Sequence, residues 1–116
     1  MRSDSLLLND ILDAIRTIRA YLPQDRETFD FNPPLQSHIL RHLMIVGAAS
    51  GRLSQGLKAK WPRIPWKQIE GMRQILVHDY FRVDWNLVFN TAKSDIPTLE
   101  NQIVMILATL SANPRC

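Results

Sequence analysis

At 116 residues, with 46% apolar and 22% charged side chains, the chain has the length for one domain (1–116) with one core and the composition of a globular protein. A net charge of +3, with a pI near 9.4, permits an acidic partner such as RNA without requiring one. The longest uncharged apolar run, Leu43 to Ala49, is far too short to span a bilayer, the opening "MRSDSLLLND" does not read as a signal peptide, and a cytoplasmic location is expected. Cys116 is the single cysteine, which excludes a disulfide framework or a Cys-based metal site and reads as a terminal thiol.

The first segment, "SDSLLLNDILDAIRTIRAYL", spaces Leu7, Ile11, Ile15, Ile18 and Leu22 by three and four residues. That predicts an amphipathic helix, capped by Ser3 or Ser5 and closed by Pro23. A polar connection, "PQDRETFDFN", follows. Asn32 ahead of Pro33 then suits a cap and first-turn proline, and Leu35, Ile39, Leu43, Val46, Ser50 and Leu53 carry a second, long helix to about Lys60.

Within that helix "VGAAS" has almost no side-chain bulk, which favours close approach of another helix over a phosphate-cradling loop, since no strand or Gly-rich turn precedes it. His38 and His42, four residues apart, could face one metal ion, but no third ligand is near and a core-edge position is the simpler expectation. No cofactor is implied.

Pro62 and Pro65 in "KWPRIPW" break the chain before a third helix, "PWKQIEGMRQILVHDY". Around the break, Lys58, Lys60, Arg63 and Lys67 interleave with Trp61 and Trp66, a pattern able to hold a nucleic-acid backbone and stack a base. The competing expectation is that the tryptophans pack the corner while the cations stay solvated. Asp84 is a cap candidate for a short fourth helix running to about Lys93, and Pro97 can open a fifth with Leu99, Ile103, Ile106 and Leu110 on one stripe. Nothing reads as a strand, and an all-α bundle of four or five helices is expected.

On the third segment, at about 100° per residue, Trp66, Ile69, Met72 and Leu76 define the buried stripe. Arg73 lies about 40° from Ile69, on the flank of that stripe, and Tyr80 falls almost in line with Ile69. A guanidinium there needs a partner: Asp79 or Asp84, which are near in sequence, or a ligand phosphate. His78 is about 140° beyond Arg73, so on an unbroken helix the two diverge. They converge only if the helix ends or distorts near His78, or if two copies meet across a symmetric interface, which predicts a dimer.

These side chains suit RNA cleavage without metal. An imidazole ionising near neutrality exchanges protons with the 2′-hydroxyl or the leaving oxygen, an arginine stabilises charge on the phosphate, and Tyr80 positions RNA by stacking or hydrogen bonding. The bland alternative is a structural arginine and histidine at a helix end, and a buried Arg73 paired within its own subunit would favour it.

The ordered set Pro65, Trp66, Gly71, Met72, Arg73, His78, Tyr80, Phe81, Val83, Asp84, Asp95, Pro97 and Leu99 closely resembles the HepT-like branch of the HEPN families, and with "VGAASGRLS" the resemblance covers essentially the whole chain. It implies a homodimeric HEPN-type bundle with two Arg-x4-His-x-Tyr motifs in a cleft between protomers. It also implies a metal-independent endoribonuclease toxin of a toxin–antitoxin pair, whose partner is a small nucleotidyltransferase of the MNT type. Carried over, Arg73 and His78 are the catalytic pair, and Tyr80 is an active-site residue and the acceptor of AMP when the antitoxin silences the toxin. Gln74, Lys67, Arg63 and Lys60 are expected RNA contacts. Two positions depart from the family pattern: Gln74 stands where a shorter polar residue is common, and Gly47-Ala48-Ala49 where Gly-Glu-Ala is frequent. A second function remains open on the sequence, that of a non-catalytic module that binds RNA or nucleotide and docks a nucleotidyltransferase.

Overall fold

The computed structural model describes residues 2–79 and 82–112. Tyr80, Phe81 and Cys116 lie outside them.

Helix α1 spans Asp4–Tyr21, and its cap is Ser3, whose side-chain oxygen accepts a hydrogen bond from the Leu6 N–H. The helix buries Leu7, Leu8, Ile11, Leu12, Ala14, Ile15 and Ile18, a wider stripe than the three-and-four spacing alone marks out. Each fully buried Leu or Ile contributes about 1.5–3 kcal/mol, so this face is a main source of stability. It ends at Leu22, whose extended backbone leads into Pro23.

The connection after Pro23 is not wholly irregular: α2, Arg26–Asp30, forms one helical turn. Asp25 caps it by accepting the Thr28 N–H, and that bond, with a second from the Thr28 hydroxyl, holds the Asp25 carboxyl below its ordinary range. The turn exists to bury Phe29, whose ring meets Phe89 edge-on at 5.2 Å.

Helix α3, Pro33–Arg52, begins as expected, with the Asn32 side chain accepting from the Leu35 N–H. It stops eight residues short of Lys60. Leu53 turns extended, Ser54 caps a separate short helix α4, Gln55–Lys60, and Asp4 of α1 accepts from both the Ser54 N–H and hydroxyl. Leu53 and Leu57 are both buried on either side of the break.

The third helix is also divided. Helix α5, Trp66–Glu70, and α6, Met72–Leu76, meet at a turn on Gly71, and Val77 leaves the helical region with φ −117° and ψ 109°. Residues expected to continue the helix instead form strand β1, Val77–Asp79, paired antiparallel with β2, Arg82–Val83. This two-stranded ribbon corrects the expectation of no strand. Its signal, a few β-branched and aromatic residues after a strongly helical period, is too short to register in sequence.

Helix α7, Trp85–Asn90, starts at Asp84, whose carboxylate accepts from the Leu87 N–H. There is no break before Pro97. A π-helical turn, Thr91–Asp95, joins α7 directly to α8, Ile96–Ala112, and the Ile96 N–H bonds the Thr91 carbonyl five residues back. A proline in an α-helix clashes with the fourth preceding carbonyl; the wider turn moves that carbonyl aside, so Pro97 sits inside the rod rather than opening a new one.

The core lies where α1 packs along α3 and α8, with α5 closing against α3. Trp66, Ile69, Met72 and Leu76 are buried as their spacing requires, and Ile96, Leu99, Ile103 and Ile106 supply the α8 face. The fold is of the all-α class, a helical bundle with one short two-stranded ribbon, as the resemblance to HEPN-type bundles led one to expect. No helix among the described residues is long and apolar enough to cross a membrane.

Candidate active site

Arg73 sits in α6, its side chain exposed. The expected internal partners are engaged elsewhere: Asp84 caps α7, and the Asp79 carboxylate accepts from Arg82 Nε at 2.8 Å. Among the described residues the Arg73 guanidinium has no ion pair, so a buried internal Arg–Asp pair is not what this arginine makes.

His78 is on β1, beyond the end of α6, and is exposed. Val77 pairs with Val83 while Asp79 pairs with Arg82, two residues on one strand against one on the other. His78 is therefore the extra residue of a bulge, a device that re-aims a side chain locally. The 140° divergence on an ideal helix does not apply, because α6 has ended at Leu76 before His78 is reached. Two backbone bonds fix the exit: the Val77 N–H donates to the Arg73 carbonyl, and the Asp84 N–H donates to the Leu76 carbonyl at 2.8 Å. Tyr80 is outside the described residues.

Arg73 and Gln74 line a groove of about 580 Å³ between α3 and the α5–α6 pair, with Ser37, Arg41, Ala48 and Glu70 on its walls. The other expected RNA contacts do not share it. Arg63 lines a groove against α8, Lys60 a third concavity beside Trp61, and Lys67 is exposed on α5. Sequence reasoning passed over Arg41; its seven-residue spacing to Ala48, two turns along one face of α3, is the signal that places it beside the small-residue stretch.

The cation-rich corner divides. Lys58 is buried and paired with Glu70 at 3.1 Å rather than solvated, whereas Lys60, Arg63 and Lys67 are exposed. Trp66 is buried and its indole N–H donates to the Trp61 carbonyl, so it packs the corner and offers no face for stacking. His38 and His42 are half-buried at the core edge, their rings 4.5 Å apart, with Tyr21 edge-on to His38 and His42 Nδ1 2.8 Å from the His38 carbonyl oxygen.

Arg73 is exposed and without an ion pair among the described residues, and His78 follows it on a bulged ribbon, outside the helical period. The family model described as "Ribonuclease HepT-like" matches residues 11–106, which contain both. The chain belongs to the HepT-like ribonuclease family. The function of that HEPN family is of the ribonuclease type. A protein of Thermococcus cleftensis named "Probable ribonuclease HepT" is 35% identical over 102 residues, covering 87% of this chain and 93% of its own. One from Methanocaldococcus jannaschii named "Putative RNase" is 33% identical over 110 residues, covering 94% and 95%. A larger protein of the same organism, "Gamma-glutamylcyclotransferase and putative RNase", is 36% identical over 115 residues, 97% of this chain; the chain spans 52% of that relative's length. No solved structure matches the chain.

Proposed function

We propose that this HepT-like protein is a single-domain, metal-independent endoribonuclease, the cytoplasmic toxin of a HEPN/MNT toxin–antitoxin pair. Arg73 and His78 form the catalytic pair, in a cleft between two protomers. The observation that carries the reading is the helix end at Leu76, which frees His78 from the helical period one turn beyond an exposed Arg73.

In this mechanism the 2′-hydroxyl attacks the adjacent phosphorus and the 5′-oxygen leaves. The His78 imidazole moves a proton at one of those oxygens, and the Arg73 guanidinium holds the phosphate as charge builds on its non-bridging oxygens. Gln74, beside Arg73 in the groove, orients the strand, and Lys60, Arg63 and Lys67 supply longer-range attraction to the backbone.

Silencing follows from the same site. A nucleotidyltransferase of the MNT type transfers AMP from ATP to the Tyr80 hydroxyl, which loses its proton as pyrophosphate leaves, placing bulk and negative charge where an RNA phosphate would bind. Inhibition then requires no unfolding.

The test is cleavage of RNA by the purified protein with excess chelator. The His78→Ala variant is expected to lose cleavage while melting like the parent and keeping its dimer mass in light scattering. Unchanged cleavage in that variant refutes the assignment, and RNA binding without cleavage by the parent would identify a docking module instead.

A further inference from the structure

We propose that the groove between α3 and α5–α6 is a binding subsite for single-stranded RNA, in which Arg41 holds a backbone phosphate next to the one held by Arg73. The proposal rests on the ribonuclease reading of the same site and assigns Arg41 a role in it.

Arg41 and Arg73 enter the groove from opposite walls, one on α3 and the other on α6. Both are exposed, and neither side chain has an ion pair or hydrogen bond among the described residues. That is not the rule for this protein: Arg2, Arg16, Arg19, Arg26 and Arg82 each hold a carboxylate. Arg52 and Arg63 also have no ion pair among the described residues, but each lines a different groove. Arg41 and Arg73, by contrast, are two arginines without an ion pair among the described residues that line one groove.

The groove's own carboxylate does not cancel them. Glu70 is bound to the buried Lys58, so its charge is already balanced from the far side. Two guanidiniums remain facing one space, the pattern that recognises successive phosphates through paired N–H donors.

The floor suits the rest of a nucleotide. Leu40, Met44 and Ile45 present half-buried apolar surface, and Gly47 and Ala48 keep the α3 wall low, so a base can lie against it without displacing a side chain. At about 580 Å³ the space is within the range of about 300–1,000 Å³ that holds small ligands. Apolar floor and cationic rim together favour a single strand, whose bases are free to turn inward, over a duplex.

The experiment measures fluorescence anisotropy of a fluorescein-labelled, mixed-sequence 2′-O-methyl oligoribonucleotide of about 12 nucleotides, titrated with the full chain at several KCl concentrations in chelator. The 2′-O-methyl group blocks attack by the 2′-oxygen, so binding is read without cleavage. Arg41→Ala is expected to weaken binding by about fivefold or more, and to reduce the slope of log affinity against log salt by about 0.7, the value for one single-strand phosphate contact. Arg41→Lys keeps the slope. Ser37→Glu, which sets a carboxylate in the groove one turn from Arg41, weakens binding well beyond Ser37→Gln, which adds the same bulk without charge.

The proposal is overturned if Arg41→Ala binds with parental affinity and slope, or if the Glu and Gln variants at position 37 behave alike. Should that occur while the parent cleaves RNA in chelator, the groove assignment alone fails. A parent that neither cleaves RNA nor binds the oligonucleotide removes the ribonuclease reading and this subsite together. Circular dichroism melts of the four exposed-site variants confirm that folding is unchanged.

Discussion

Gly47 lies directly against the Ile69 carbonyl: a Cβ at position 47 would stand 2.8 Å from that oxygen and 3.4 Å from the Met72 Cβ. The contact brings α3 within backbone distance of α5, the two elements whose joint surface carries Arg41 and Arg73. The small residues of "VGAAS" thus serve helix approach, as their lack of bulk suggested. Alanine normally favours a helix interior over glycine by about 1 kcal/mol. Here the clash outweighs it, and Gly47→Ala is expected to destabilise by about 1–3 kcal/mol net, seen as a lower midpoint in urea. A variant as stable as the parent would show that α5 can shift at little cost.

Lys58 and Glu70 form the pair beneath that groove, with Lys58 only 8% exposed at its side chain. Glu70→Ala strands a buried ammonium and should cost about 1–3 kcal/mol. Lys58→Met keeps the apolar stem and discards the charge, so it should be milder, despite removing the same ion pair. Thermal melts of the two variants, compared with Glu70→Gln, distinguish a desolvation penalty from loss of packing.

Asp84 joins the ribbon to α7. Its N–H holds the Leu76 carbonyl and its carboxylate caps the Leu87 N–H. Loss of that cap in Asp84→Ala should cost about 1 kcal/mol, and Asp84→Asn should retain most of it. Because Asp84 follows β2 and bonds the Leu76 carbonyl just ahead of the strand bearing His78, amide exchange is expected to quicken at Val77 and Val83 in the alanine variant alone.

Glu100 of α8 receives Arg19 and Arg16 of α1, the latter at 3.4 Å. The Arg19 hydrogen bond, with a smaller one from Arg16, holds its carboxyl below the ordinary value of 4.5. A depressed folded value means the stabilisation is complete above about pH 4.5 and is lost as pH falls through the lowered value, when the unfolded chain has already taken up its proton. The stability difference between the parent and Glu100→Gln, from denaturant titrations, should therefore be constant from pH 7 to 5 and shrink toward pH 3. A difference that grew on acidification would contradict the assignment.

Much of this molecule is legible without coordinates. Ser3, Asn32 and Asp84 are the caps that their position before apolar stripes predicts, and the buried face Trp66, Ile69, Met72 and Leu76 follows from spacing alone. Those features are local: a cap bonds an amide two or three residues on, and a stripe depends only on the helical period. The family, too, is carried by an ordered set of residues that sequence displays directly.

What failed did so where distant contacts overrule local preference. The second helix stops at Arg52 where Asp4 of α1, fifty residues away, holds the Ser54 N–H and hydroxyl and Ser54 starts a new helix, and Phe29 draws a turn of helix out of a polar connection to reach Phe89. Pro97 reads as a helix start, yet a π turn absorbs it.

The sequence by itself determined the helical bundle, its family, and the identity of Arg73, His78 and Tyr80 as the residues worth testing. Only the tertiary structure decided that α6 ends before His78, that Asp79 and Asp84 are occupied, and that Arg41 shares a groove with Arg73. The period of a helix is written in a dozen neighbouring residues; whether a cation thirty positions away lies across the same groove depends on how two helices pack.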